Sequence, residues 1–216
     1  GDARALSRLM TVVESDPRSA PEVMSRVYGL GKGARRIGIS GPPGAGKSTL
    51  LNKLVGARIA AVSSKPQTTR TRVMGIVTVP GLQAVLVDTP GLHGPRSELN
   101  RRMVKAAEGA MDEVDLLCWI VDATRPFDEE LAARFAGRKV VVALNKVDLL
   151  DDKRLLLPLM AMYAQTGVVV PICATEGEGT EALLAEWANA LPEGEPLYPE
   201  DQITDVREKD ICAELV

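Results

Sequence analysis

Arg36-Ile37-Gly38-Ile39-Ser40 runs directly into Gly41-Pro42-Pro43-Gly44-Ala45-Gly46-Lys47-Ser48, and residues 48–55 continue in a helical pattern. A short apolar strand, a glycine loop ending in Gly-Lys-Ser and a helix form, in that order, a phosphate-holding arrangement. Glycines at 41, 44 and 46, with Ala45, let backbone N–H groups approach an anion closely, and the helix N-terminus adds partial positive charge. Lys47 is expected to place a point charge on the β- and γ-phosphates. Ser48 is expected to turn its hydroxyl to Mg²⁺, with Thr49 beside it among the nucleotide contacts. The bland alternative is a chance glycine turn, which would need neither the strand nor the helix.

The rest of the chain repeats the strand–helix alternation. Strands are predicted at 71–79, 82–88, 116–122, 139–145 and 168–173, with the turn Pro80-Gly81 joining the first pair. Helices are predicted at 98–111, 128–135, 151–164 and 180–190, with Pro158 marking a kink or a late start in the third. Continuously apolar strands separated by helices imply an α/β fold, a mainly parallel six-stranded sheet flanked by helices. This is the G domain of a P-loop NTPase, expected over residues 35–191. Ahead of it, Leu6, Leu9, Met10 and Val13 form one apolar stripe, and Ser19 with Glu22 opens a second helix. Residues 1–34 are therefore expected to be a helical extension. Residues 192–216, rich at first in Pro, Glu and Asp, read as a linker or tail.

Three further motifs fall at the carboxyl ends of predicted strands, where ligands bind in such sheets. In Asp88-Thr89-Pro90-Gly91 the carboxylate ends an apolar run, a costly place unless it serves a cation. Asp88 is expected to hold Mg²⁺ through water, and the Gly91 amide to meet the γ-phosphate. Taken alone, the same four residues read equally well as a plain turn. Asn145-Lys146-Val147-Asp148 carries a carboxylate that can accept from guanine N1 and the 2-amino group together. Adenine lacks those donors, so the wrong base strands a buried carboxylate. Lys146 is expected to lie along the base, Asn145 to tie the loops, and Ala174 in Ile172-Cys173-Ala174-Thr175 to donate its N–H to guanine O6, flanked by Cys173 and Thr175. A surface turn is the alternative for Asn-Lys-Val-Asp. A second switch is sought between 56 and 75. Thr69 in Lys65-Pro-Gln-Thr-Thr-Arg70 is chosen to close over Mg²⁺ and the γ-phosphate, with Thr68 as alternate, although a solvated loop fits the same residues. Lys47, Thr69 and Gly91 are thus the candidate catalytic groups, and Ser48, Thr69 and Asp88 the candidate metal ligands. Leu92 stands where Ras-type GTPases place the water-orienting Gln, so hydrolysis is expected to be slow without a partner. His93, the single histidine, is more plainly an exposed switch residue than an acid–base group.

Composition narrows the partners. A formal net charge of −3 and 3% aromatic residues give neither a basic field nor a stacking platform for nucleic acid. Cys118, Cys173 and Cys212 lack metal-ligand spacing and read as free thiols of a reducing compartment. No apolar run reaches the roughly 18 residues of a membrane span, and the start of the chain lacks a signal-type stretch. A cytoplasmic protein is expected.

With these motifs in place, residues from about 50 onward resemble the Era family of bacterial ribosome-assembly GTPases. The resemblance rests on Lys65-Pro-Gln-Thr-Thr-Arg70, Val87-Asp-Thr-Pro-Gly-Leu-His93, Leu99-Asn100-Arg101, Asn145-Lys-Val-Asp148 and Leu197-Tyr-Pro-Glu-Asp-Gln202. It implies a GTP/GDP switch requiring Mg²⁺, with small-subunit ribosomal RNA and a peripheral membrane surface as partners. Two departures matter: that family usually has Asn at position 44, and Ser at position 173. No Gly-x-x-Gly loop follows residue 202, so the family's RNA-binding KH domain is expected to be missing and RNA binding lost. Residues 1–50 instead resemble the MeaB/ArgK family, GTPase chaperones of cobalamin-dependent mutases. The sequence is therefore expected to be chimeric, with a mutase as the alternative partner and a nucleotide-binding module of negligible turnover as a further reading.

Overall fold

The computed structural model describes residues 35–57, 59, 74–88, 114–194, 196 and 198–204. The helices expected within 1–34 and at 98–111 lie outside these residues, as do Thr68, Thr69, Thr89, Pro90, Gly91, Leu92, His93 and Cys212.

In chain order the elements are β1 (Arg36–Ser40), α1 (Lys47–Val55), β2 (Met74–Val79), β3 (Leu82–Asp88), β4 (Leu116–Asp122), α2 (Glu129–Ala133), β5 (Val140–Asn145), α3 (Leu156–Tyr163), β6 (Val168–Ile172) and α4 (Thr180–Ala190). The six strands form one sheet in the order β2-β3-β1-β4-β5-β6. All neighbours are parallel except β2 and β3, which form an antiparallel hairpin. The expected P-loop α/β fold is therefore present.

Burial explains why these segments are strands. Every residue of β4 and β5 is buried, as interior parallel strands covered on both faces require. Alternation along β4 divides its side chains between two cores. Leu116, Cys118 and Ile120 face a cluster that includes Leu50 and Leu51 of α1 and Trp187 of α4. Leu117, Trp119 and Val121 face a second cluster with Phe135 and Tyr163. Trp119 stacks on Phe135 with ring centroids 4.6 Å apart and meets Tyr163 edge-on at 5.4 Å. Burial pushes the Cys118 thiol up to about 12, so it is an inert core group.

Register then sets the site. Ile39 pairs with Asp88, Ser40 with Trp119, Asp122 with Asn145, and Asn145 with Ile172. The carboxyl ends of five parallel strands thus share one edge of the sheet.

Two expectations need correction. The helix predicted over 151–164 is interrupted: a 3₁₀ turn at Lys153–Leu155 precedes α3. The Asp152 carboxylate accepts from the Arg154 amide at 3.0 Å, and such local bonds compete with helix formation. Pro158 sits in the first turn of α3, where no intrahelical acceptor awaits its missing N–H. Of the segment 192–216 read as a linker or tail, residues 192–194 and 198–204 are fastened to the domain. The Arg35 guanidinium donates to the carbonyls of Pro192 and Glu193 at 3.2 and 3.0 Å. Gln83 exchanges two hydrogen bonds with the Tyr198 backbone, each 2.9 Å. The Ile76 amide of β2 donates to the Ile203 carbonyl at 2.8 Å.

Candidate functional site

The loop between β1 and α1 is shaped by close approach. A Cβ at Gly41, whose φ is +150°, would stand 2.1 Å from the Ile120 carbonyl oxygen of β4. A Cβ at Gly46, with φ +102°, would stand 2.3 Å from Asn145 Nδ2. Only glycine allows both conformation and proximity there. The N-cap of α1 is Gly46, which has no side chain to cap it. The N-terminal end of the helix faces the loop with the polarity an anion needs. The Lys47 ammonium donates to the carbonyls of Gly41 and Pro42 at 2.9 and 3.2 Å, so it lies over the loop's own concavity. Ser48 and Thr49 follow in the first turn, half-buried, with Gly44 exposed at the lip and Ala45 buried beneath it.

Asn145 ends β5 with 2% of its surface exposed. Its Nδ2 donates to the Ala45 carbonyl at 2.7 Å, and its Oδ1 accepts from the Ala174 amide at 2.9 Å. One side chain thereby joins the phosphate loop to the loop after β6, across 100 residues of sequence in one direction and 29 in the other. The Ala174 amide, the group expected to meet guanine O6, is the donor in this bond to Asn145. The same loop closes on itself, with the Cys173 amide donating to the Glu178 carbonyl at 2.9 Å and the Cys173 Sγ 3.1 Å from the Thr175 hydroxyl.

Lys146 is the only non-glycine residue with positive φ among the described residues, at 65°. Sparsely populated backbone of this kind persists where the surroundings hold it, commonly at ligand sites. It lifts the next turn, Val147–Leu149, so that Asp148 stands exposed at the edge. The Lys146 ammonium reaches back to Asp122 Oδ2 at 2.6 Å. Asp122 also accepts at Oδ1 from the Thr124 amide and hydroxyl, at 3.0 and 2.7 Å. Burial raises the Asp122 pKa, but the bonds from Lys146 and Thr124 outweigh it and hold the carboxyl below its usual range.

Sequence reasoning missed Asp122. The signal was available: like Asp88, it is a carboxylate closing an apolar run at the end of a strand, and such a group asks for a cation. Asp88 ends β3 beside Ile39 of β1, which brings its backbone to the start of the phosphate loop. The described site thus assembles the Gly41–Thr49 loop, the end of β3, Asn145 to Asp148 and Cys173 to Thr175, while Thr69 and Gly91 lie outside the described residues.

Known proteins resemble this chain in sequence and fold. A GTPase Era of Geotalea daltonii is 43% identical over 188 residues, covering 83% of this chain and 63% of its own. The chain spans a little under two thirds of the length of the curated relatives it matches. A crystal structure of Era in complex with MgGDPNP and nucleotides 1506–1542 of 16S ribosomal RNA superposes with a TM-score of 0.74 at 36% identity, covering 84% of this chain and 64% of that one. A point variant of Aquifex aeolicus Era bound to GDP and AlF4⁻ superposes with a TM-score of 0.73 at 36% identity, covering 83% and 64%. The 50S ribosome-binding GTPase family matches residues 36–146, from the first strand through the lysine of the base motif and over more than half of the sequence. That match places the chain in the family: it is a member of the 50S ribosome-binding GTPases.

Proposed function

We propose that this chain binds GTP and GDP with Mg²⁺, hydrolyses GTP to GDP and phosphate, and acts as an Era-like switch in assembly of the small ribosomal subunit. The observation that carries this reading is the Asn145 bridge. It couples the loop built for phosphates to the loops built for a base, so one ligand must span both. Lys47 and the backbone amides of residues 44–48 hold the phosphates. Asp148 selects guanine, because only guanine offers it two donors. Ser48 and Asp88 supply hard oxygen donors at adjoining element ends, a set that suits Mg²⁺, and Thr69 is proposed to complete it. Mg²⁺, when bound, neutralises charge on the phosphate oxygens. Thr69 and Gly91 close over the γ-phosphate and release after hydrolysis. Leu92 cannot hydrogen-bond water, so the turnover of the isolated chain is slow. The pathway is supported by the relatives: the superposing Era carries MgGDPNP and a segment of 16S ribosomal RNA. Residues 35–191 are the G domain of this reading. No helix among the described residues is long and apolar enough to cross a membrane, and the cytoplasm is the proposed compartment.

Calorimetric titration with GDP, GTP and ATP in Mg²⁺ tests the binding. GDP and GTP are expected to bind, ATP far more weakly, and Lys47→Ala to abolish uptake of all three. Single-turnover phosphate release tests the chemistry. Failure to bind either guanine nucleotide overturns the reading. Unchanged GTP-over-ATP selectivity in Asp148→Asn removes Asp148 from the base site.

A further inference from the structure

The turn after β4 holds a cation that the reading above does not use. Arg125 is three residues beyond the end-of-strand carboxylate Asp122, and its Nε lies 3.7 Å from Asp122 Oδ2. Its side chain is 60% exposed, whereas that of Asp122 is 4% exposed. The other end of the guanidinium reaches the phosphate loop. A Cβ at Gly44 would stand 3.8 Å from Arg125 Nη2, and among the described residues other than Gly44 and its two chain neighbours no other atom lies within 4 Å of it.

The turn that carries Arg125 is tightly held. The Ala123 amide donates to the Asn145 carbonyl at 2.8 Å, and the Arg125 amide to the Asp122 carbonyl at 3.1 Å. Thr124 bonds the Asp122 carboxylate through both its amide and its hydroxyl. Pro126 limits the backbone, and the ring of Phe127 packs edge-on against Tyr163 with centroids 4.8 Å apart. Asp122 therefore gathers two cations, Lys146 on the base side and Arg125 on the phosphate side. One carboxylate against two cations leaves one positive charge uncompensated, at the edge of a loop that accepts a polyanion. Lys146 already takes Asp122 at 2.6 Å, so the looser 3.7 Å contact orients Arg125 without saturating its five donors.

We propose that Arg125 is a nucleotide-binding residue, a guanidinium held by Asp122 at the Gly44 lip of the phosphate loop that contacts the phosphate chain of the bound guanine nucleotide. The proposal rests on the guanine-nucleotide reading of this site. Arginine has the chemistry for such a contact. Its planar fork offers paired donors to phosphate oxygens, and it stays charged at every working pH. The contact also explains why an exposed arginine sits on a turn pinned at both sides, since pre-organisation lowers the cost of engaging a ligand.

The test compares the parent chain with Arg125→Gln and Arg125→Lys, using Kd values for GDP, GTP and inosine triphosphate at low and high salt. The side chain is exposed, so both variants should fold, and circular dichroism checks this. The parent must first bind GDP and GTP; if it does not, the guanine-nucleotide reading falls and this proposal with it. Given a binding parent, Arg125→Gln is expected to weaken GDP and GTP about tenfold, the scale of one charged hydrogen bond. The salt dependence should become shallower, as loss of one exposed charge predicts. The ratio of GTP to inosine triphosphate affinity should stay unchanged, because that pair differs only at the base. Arg125→Lys should recover part of the loss. Affinities within about twofold of the parent, a changed ratio of GTP to inosine triphosphate affinity, or no recovery with lysine would each overturn the proposal while leaving the nucleotide reading intact.

Discussion

The two ends of the sheet are held by different means. At the β4–β6 end, side chains do the joining: Asn145 bonds Ala45 and Ala174, and Asp122 bonds Lys146 and Thr124. At the β2–β3 end, the fastening falls largely on backbone groups of a distant segment. The Ile76 amide meets the Ile203 carbonyl, and Gln83 meets both polar groups of the Tyr198 backbone. The first end needs particular residue types, so substituting one atom set disables it. The second needs chiefly that the chain return along a given path, and many side chains would permit that. A nucleotide site gains from the first kind of construction, because its geometry must hold to fractions of an ångström. The edge strand gains from the second, since pairing β2 from outside covers an otherwise open ladder edge.

The contrast breaks most sharply at Asn145. Asn145→Ala removes two buried hydrogen bonds and strands the Ala45 carbonyl and the Ala174 amide. The expected loss is about 3 kcal/mol of unfolding free energy, since each buried unpaired group costs about 1–3 kcal/mol. Urea denaturation measures it, and guanine-nucleotide affinity should fall with it because the two loops are no longer joined. A loss below about 1 kcal/mol would show that the bridge is replaceable and the two ends not so different.

Asp122 sharpens the comparison through pH. Its carboxyl titrates below the usual range when folded, so the pair with Lys146 stabilises the chain above the unfolded value of about 3.9. That contribution is lost as pH falls through the lower, folded value. The acid limb of the stability profile should therefore steepen below about pH 4. Asp122→Asn should flatten this limb and cost about 1.5 kcal/mol at pH 7, the scale of a hydrogen bond to a charged group. An unchanged acid limb in the variant would mean that other carboxylates govern it.

How much of this could be read in advance follows the same division. The uninterrupted apolar runs of β4 and β5 announce buried parallel strands, and the phosphate loop announces itself through Gly41, Gly46 and Lys47. Asp122 was legible by the argument applied to Asp88, but no four-residue motif drew the eye to it. Arg125 was not, because its nearness to Gly44 depends on how the turn after β4 leans, and no local pattern records that. The break at Lys153–Leu155 turns on whether Asp152 bonds its own neighbour or leaves the helix to continue, a close competition between local bonds. The fastening of residues 192–194 and 198–204 was least legible of all: Pro and acidic residues look like a linker, and the carbonyls of Pro192, Glu193 and Ile203 carry no signature of their partners.

That last feature supplies the smallest expected effect. Gln83 is the one side chain that grips the backbone of residue 198 from both sides, its Nε2 donating to the carbonyl and its Oε1 accepting from the amide. Gln83→Ala removes both bonds and the 3.2 Å bond from Nε2 to the Thr78 hydroxyl, but these groups are only part-buried and water can replace the lost partners. The expected cost is therefore about 1 kcal/mol, near the net value of one ordinary hydrogen bond. Hydrogen exchange is the sharper reporter. The Tyr198 amide loses its acceptor outright, and the Ile76 amide loses protection because Ile203 is no longer held against β2. Protection at Asn145 and the core of β5 should stay as it was, since β1 and β4 stand between β3 and β5 in the sheet. If the amides of β5 exchange faster as well, the two ends are coupled through the sheet, and the division drawn between them is wrong.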